Sequence, residues 1–269
     1  MSERITSLQN PRVKNILRLS KANERRRQEL IVIEGFREIS MAVQSGFLVR
    51  ELYVAPEVNP HPDTQALLAA LPPDCAVYEI ARAVFEKAAY RDNSDGLIAL
   101  AEPKALSLDA LKLEDNPLIL VMESPEKPGN IGAILRTADA AALDAVIVCD
   151  PKTDLYNPNV IRSSLGCIFS CPIAVCTSRE ALDFLAERGI RTYAAALSAS
   201  KYYYEADFTG PAAIVMGSEA DGLTGLWLSE ASMQIKIPMG GRVDSLNLST
   251  SAAVLVFDAK RQRDCRGTP

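Results

Sequence analysis

Several things are scarce or missing in this chain of 269 residues. No apolar run approaches the roughly 20 residues that span a bilayer. The opening Met1-Ser2-Glu3-Arg4-Ile5-Thr6 is too polar for a secretory signal, so a cytoplasmic protein is expected. His61 is the single histidine, flanked by Pro60 and Pro62 in a loop context. Hydrolysis by a serine–histidine pair is therefore improbable unless His61 reaches an active site. The six cysteines are Cys75, Cys149, Cys167, Cys171, Cys176 and Cys265. None makes a C-x-x-C pair, so a structural zinc site lacks its common ligand pattern. Cys149 and Cys176 lie in apolar runs and read as reduced core residues. A G-x-G-x-x-G dinucleotide fingerprint, an internal repeat and a low-complexity segment are absent too. The net charge of −5 argues against a wholly basic nucleic-acid coat, although it leaves room for a local basic patch.

What is present is a soluble globular composition, 48% hydrophobic and 23% charged, in a length that suits one large or two ordinary domains. Pro11 to Leu19 carries Val13, Ile16 and Leu17 at helical spacing. Ile31-Val32-Ile33, Leu52-Tyr53-Val54, Val77-Tyr78 and Leu97 to Leu100 read as strands. Helical stretches stand between them, including Gln65 to Leu71, which Pro72-Pro73 stops. This alternation suggests a small α/β sandwich. Glu102 to Asn116 has no long apolar run and reads as a linker.

The second half starts with strand Leu118 to Met122 and a helix from about Ile131, with Asn130 a suitable N-cap. Strands at Val146–Val148, Ile173–Val175, Tyr193–Leu197, Ala213–Met216 and Gln234–Ile237 follow. Thr177 and Glu180 form a capping box for one helix, and a closing helix is expected from about Asn247 to Arg261. Strands separated by helices imply a mainly parallel sheet.

Three segments stand out. Pro128-Gly129-Asn130-Ile131-Gly132-Ala133-Ile134-Leu135-Arg136-Thr137-Ala138 is a glycine-rich strand-to-helix turn. Ile214-Val215-Met216-Gly217-Ser218-Glu219-Ala220-Asp221-Gly222-Leu223 places Glu219 where a buried strand ends, a position that favours ligands in parallel sheets. Here Gly217 is expected to let a ligand approach the backbone. Ile235-Lys236-Ile237-Pro238-Met239-Gly240 leads to Ser245-Leu246-Asn247-Leu248-Ser249. Taken singly, each also reads as ordinary structure: a capped helix with an exposed arginine, a tight turn with a solvated carboxylate, a loop before a capped helix.

In this order the three resemble the signature motifs of the SpoU (TrmH-type) ribose 2′-O-methyltransferases of the SPOUT superfamily. The resemblance implies transfer of a methyl group from S-adenosylmethionine to a ribose 2′-hydroxyl of ribosomal or transfer RNA, with no metal. It implies a C-terminal parallel-sheet trefoil-knot domain over 113–269. It also implies a homodimer with the site near the subunit interface, acting on RNA and not on DNA or a membrane. Matching positions make Asn130, Arg136, Glu219, Ser245 and Asn247 the catalytic group, and Leu197, Gly217, Ile237, Met239 and Leu246 the cofactor contacts. An arginine is almost never neutral, so Arg136 is at least as well suited to stabilising alkoxide charge or clamping a phosphate as to acting as a base. The chain departs from the family at Ala140-Ala141-Ala142, commonly Ala-Phe-Gly, and at Leu248-Ser249-Thr250-Ser251, changes that touch packing beside the site.

Residues 1–105 resemble, more loosely, the family's L30e-like RNA-binding domain, through Ile31-Val32-Ile33-Glu34-Gly35 and Gly96-Leu97-Ile98-Ala99. Their basic stretch holds Arg12, Lys14, Arg18, Lys21, Arg25, Arg26 and Arg27. Of these, Arg12, Lys14, Arg25, Arg26 and Arg27 are the expected phosphate contacts; the plain alternative is a solvated helix face. Two other functions stay open: a catalytically silent RNA-binding protein of the same fold, and a methyltransferase acting on a base nitrogen.

Overall fold

The computed structural model describes residues 4–58, 61–90 and 94–264. Cys265, Pro60 and the opening Met1-Ser2-Glu3 lie outside the described residues. The chain forms two compact units, Met1–Ala105 with Asp154–Ser170, and Leu106–Thr153 with Cys171–Pro269.

In the first unit β1 (Arg4–Ile5) is followed by α1 (Pro11–Arg18), α2 (Ala22–Gln28), β2 (Ile31–Glu34), α3 (Phe36–Gln44) and β3 (Val49–Val54). Then come α4 (Thr64–Ala70), β4 (Ala76–Ile80), α5 (Arg82–Ala88) and β5 (Leu97–Ala101). The five-stranded sheet has the order β1-β4-β3-β5-β2. β1, β4 and β3 run parallel, whereas β5 is antiparallel to both β3 and β2. Pro11 opens α1 where its missing N–H costs nothing, and Asn10 caps it by accepting from the Arg12 N–H at 2.9 Å. The apolar spacing then buries Val13, Ile16 and Leu19 against Ile5, Tyr53, Phe85 and Ile98. Gly35, which opens α3, has φ 106, a backbone angle that a side chain resists.

The second unit begins earlier than the sequence suggests. Leu108, Leu111 and Leu113 pack on its core, and the Leu106 carbonyl accepts from the Val175 N–H at 2.8 Å. The presumed linker is thus largely part of this unit, because scattered leucines bury area without forming a run. Then follow β6 (Leu118–Glu123), α6 (Pro128–Ala140) and β7 (Ala145–Cys149). The chain next contributes α7 (Pro158–Ser163) and α8 (Cys167–Ser170), which group with the first unit. The sequence expectation keeps the stretch within 113–269. Phe169 meets Phe47 edge-on at 4.9 Å, and Asp154 pairs with Arg25, so the stretch packs on the first unit's core.

β8 (Ile173–Cys176), α9 (Ser178–Glu187), β9 (Arg191–Ala195), β10 (Lys201–Tyr202), β11 (Ala212–Met216), α10 (Gly225–Glu230), β12 (Met233–Lys236) and α11 (Leu248–Asp264) complete the second unit. Its seven strands have the order β10-β12-β9-β11-β6-β7-β8 and are all parallel. The capping box forms as the sequence predicts: Thr177 Oγ1 accepts from the Glu180 N–H, and Glu180 returns to the Thr177 N–H at 2.7 Å. Cys149 is buried and Cys176 half-buried, facing each other across β7 and β8 as free thiols. Their hydrogen bond, together with burial, raises the Cys149 pKa. Ala142, where the family commonly has glycine, sits at φ 47, a left-handed conformation. No helix among the described residues is long and apolar enough to cross a membrane.

Candidate active site

An open cleft of ≈ 690 Å³ lies at the C-terminal ends of the second unit's strands. That is within the ~300–1,000 Å³ common for small-ligand sites. Its walls come from three stretches: Ala195 to Ser198 after β9, Met216 to Leu223 after β11, and Ser245 to Leu248 leading into α11. Parallel strands leave their C-terminal loops to converge at one edge, which is why segments far apart in sequence meet here.

The loop after β11 is a tight turn. Ser218 and Gly222 exchange backbone hydrogen bonds, both at 3.1 Å, and the Asp221 N–H donates to Ser218 Oγ at 3.0 Å. A Cβ on Gly217 would stand 2.1 Å from the Gly222 carbonyl carbon and 2.3 Å from the Leu223 nitrogen. Gly217 therefore keeps this turn closed on itself, which corrects the expectation that its open side faces a ligand. Gly217→Val should spread the turn and abolish cofactor binding by moving the wall. Calorimetric titration with S-adenosylmethionine checks this, and full affinity in a folded variant would refute it.

Glu123, the last residue of β6, anchors the far end of the same loop. Its buried carboxylate accepts from Thr224 N–H (2.8 Å), Thr224 Oγ1 (2.7 Å) and Ser178 Oγ (3.0 Å). Sequence reasoning misses it; the available signal is an acid closing the otherwise apolar strand Leu118–Glu123.

A chain of side-chain hydrogen bonds joins all three motifs. Asn130 Nδ2 donates to Glu219 Oε1, and Asn247 Nδ2 donates to Asn130 Oδ1 at 3.2 Å. Asn247 Oδ1 in turn accepts from the Ser249 N–H at 3.0 Å and from its hydroxyl at 2.7 Å, capping α11. Asn130 is not the N-cap of α6: Lys127 holds that position, Pro128 is the first helical residue, and Asn130 lies inside the first turn. This frees its amide to link the motifs. Glu219 Oε2 is buried with no hydrogen-bond partner among the described residues. Such an oxygen favours a donor arriving with a ligand or substrate.

Leu197, Gly217, Glu219, Ser245, Leu246 and Asn247 all line the cleft. Leu197 lies just past β9, which ends at Ala195, and is 62% exposed. Ile237 and Met239, half-buried on the loop after β12, do not line it. Nor does Arg136, which is exposed on α6. Six residues of helix separate it from Asn130, roughly 9 Å along the axis and about 120° around it. Lys127, Ser198 and Ser251 line the cleft as well, although no sequence pattern marks them.

The expected phosphate contacts divide. Arg25 is only 4% exposed and is fully engaged: its guanidinium reaches Asp154 and the carbonyls of Leu19 and Ser20, the latter two at 2.8 Å. It is a structural residue, which corrects the expectation of a phosphate contact. Arg12 pairs with Glu51 at 2.8 Å and lies over the Tyr78 ring. Arg27 pairs with Glu24 at 2.6 Å. Lys14 and Arg26 are exposed, as are Arg18 and Lys21. His61 stacks on Phe36 in the first unit, with ring centroids 3.7 Å apart.

Comparison with known proteins decides the affiliation. Residues 117–257 match the model of the SpoU rRNA Methylase family, and residues 10–99 match the MRM3-like substrate binding domain. The chain belongs to the SpoU rRNA methylase family. It is 30% identical to a 23S rRNA (uridine(2479)-2′-O)-methyltransferase of Streptomyces viridochromogenes, over 91% of this chain and 87% of that protein. A crystal structure of an RNA 2′-O ribose methyltransferase superposes with TM-score 0.85 at 42% identity, covering 97% of this chain and 99% of that one. The SpoU methyltransferase AviRb of S. viridochromogenes in complex with AdoMet superposes with TM-score 0.86 at 28% identity, covering 95% and 100%. The chain is an S-adenosylmethionine-dependent RNA methyltransferase acting on a ribose 2′-oxygen.

Proposed function

We propose that this member of the family methylates ribosomal RNA, and that Asn130, Glu219 and Asn247 form the polar core of its active site. The observation that carries the site assignment is the hydrogen-bonded chain joining these three residues beside the cleft; the ribosomal substrate is supported by the family match and by the 23S rRNA methyltransferase relative. The cleft fits the cofactor: apolar Leu197 and Leu246 line it together with the compact turn at Gly217, and the buried Glu219 Oε2 has no partner among the described residues and can accept from a ligand. Bound there, S-adenosylmethionine supplies an electrophilic methyl group. Leu197, Gly217 and Leu246 would form its walls.

A 2′-hydroxyl is a poor nucleophile and has to be oriented, a contribution worth several kcal/mol. Glu219 Oε2 suits an incoming ribose hydroxyl or guanidinium, and Ser245 and Asn247 line the same cleft. Arg136 would stabilise negative charge on the 2′-oxygen or hold the adjoining phosphate. Its distance from Asn130 around α6 supports delivery from a second copy of this chain. The half-exposed Phe257 on α11, which packs against α6, supplies apolar surface for such a homodimer. Lys14, Arg18, Lys21 and Arg26 are the candidates for RNA phosphates.

The test uses tritiated S-adenosylmethionine and RNA from cells lacking the protein. Label should enter ribosomal RNA and survive alkali as a dinucleotide, because only a 2′-O-methyl blocks cleavage of the adjoining linkage. Label on a base would overturn the assignment of the target atom, and label confined to transfer RNA would overturn the substrate.

A further inference from the structure

Three consecutive tyrosines, Tyr202, Tyr203 and Tyr204, have no part in the site described so far. Tyr202 ends β10, the edge strand of the seven-stranded sheet, and Tyr203 and Tyr204 lie in the single turn Tyr203–Glu205 that follows. The rings of Tyr202 and Tyr204 stack at 5.3 Å with 24° between their planes, and they are 37% and 55% exposed. Stacked aromatic rings left open to water are costly features on a surface. They are also held firmly. Glu205 accepts from the Tyr202 N–H at 2.7 Å, and Ala206 and Phe208 just beyond are buried. The Lys236 ammonium lies 5.5 Å from the Tyr202 ring centroid, while Lys201 pairs with Glu205 at 3.8 Å.

Their position follows from strand register. Tyr202 pairs with Lys236 on β12, and Ile235 of β12 pairs with Ala195, which lines the cleft. Two strand spacings put Tyr202 about 10 Å from the cleft wall, at the same C-terminal edge of the sheet, and Tyr204 is stacked on it.

We infer that Tyr202 and Tyr204 form a stacking platform for an unpaired base of the substrate RNA, within a nucleotide or two of the methylated ribose. The inference rests on the RNA reading above. Aromatic faces accept any base, and the neighbouring Lys236 ammonium suits an adjoining phosphate. Two rings offer far less than the ~1,000 Å² that a stable protein interface needs, so a nucleobase fits this surface better than a protein partner does.

The experiment uses the full chain with Tyr204→Ala, Tyr204→Phe and Lys236→Gln. Fluorescence anisotropy with labelled single-stranded hexa-adenylate reads stacking directly, without depending on which RNA is the natural substrate. The KM for ribosomal RNA in the methyl assay is the second readout. Tyr204→Ala should weaken hexa-adenylate binding about tenfold and raise KM similarly, leaving kcat and cofactor affinity near wild type. Tyr204→Phe should stay within about twofold of wild type, since the ring is kept. Lys236→Gln should lose less and show a flatter salt dependence. Unchanged binding in Tyr204→Ala, equal damage from Phe and Ala, or a changed mass by light scattering would overturn the platform. Loss of methyl transfer to ribosomal RNA by the wild-type protein would instead count against the proposed substrate and leave the anisotropy result to stand by itself.

Discussion

Arg136→Ala should lower methyl transfer at least a hundredfold while S-adenosylmethionine binds as before, the loss typical of removing a preorganised charge-stabilising group. The guanidinium is outside the cleft that would hold the cofactor, so its removal leaves the walls at Leu197, Gly217 and Leu246 in place. A mixing experiment tests where the arginine acts. Asn130→Ala removes the residue joining Glu219 to Asn247, and should be inactive alone. If Arg136 serves the site of a second copy, mixing and reassembling the two inactive proteins creates dimers with one intact site. Random assortment in a two-fold dimer then restores about a quarter of wild-type activity. Turnover of Arg136→Ala above about a tenth of wild type would remove it from the chemistry. A mixture as inactive as its components would place the arginine and asparagine of each site on one chain.

Arg25→Ala is the second large effect, and it should appear in stability. The substitution strips the buried partner from Asp154 and leaves the carbonyls of Leu19 and Ser20 unpaired. Breaking a buried pair from one side costs about 3–5 kcal/mol, which in a domain of this size lowers the melting temperature by roughly 10 °C. Arg25→Lys should recover only part, because one ammonium cannot reproduce the hydrogen bonds made by three guanidinium nitrogens. Neutralising Lys14, Arg18, Lys21 and Arg26 should do the opposite. Stability should hold while RNA affinity falls, and the salt slope should flatten by about 0.7–0.9 for each phosphate that those side chains neutralise. Thermal unfolding and RNA titrations at several salt concentrations separate the two groups. A melting temperature for Arg25→Ala within a degree or two of wild type would show that the buried pair is not structural.

Local signals carry much of the architecture. The β-branched run Ile31–Ile33, the apolar strands of the second half and the Thr177–Glu180 capping box each appear where their chemistry puts them. These interactions span a few residues, so neighbouring sequence suffices to specify them. The segment Asp154–Ser170 shows the limit: short helices with little periodicity do not announce that they pack on the first unit. The lone leucines at 108, 111 and 113 are equally silent about the core they join.

The same division runs through the site. The linear chain supplies the inventory: three motifs in order, their polar residues, and the family affiliation that follows. Folding in three dimensions assigns what each residue does with its neighbours. It turns Asn130 from an expected helix cap into the link between Glu219 and Asn247. It turns Gly217 from an opening for ligand into the seam of a closed turn. It withdraws Arg25 from the RNA-facing set and leaves its exposed neighbours there. The reason is physical: burial and hydrogen-bond partners are set by groups tens of residues away, as Asn130 and Glu219 are, and no local pattern encodes which distant atom will occupy the space beside a side chain.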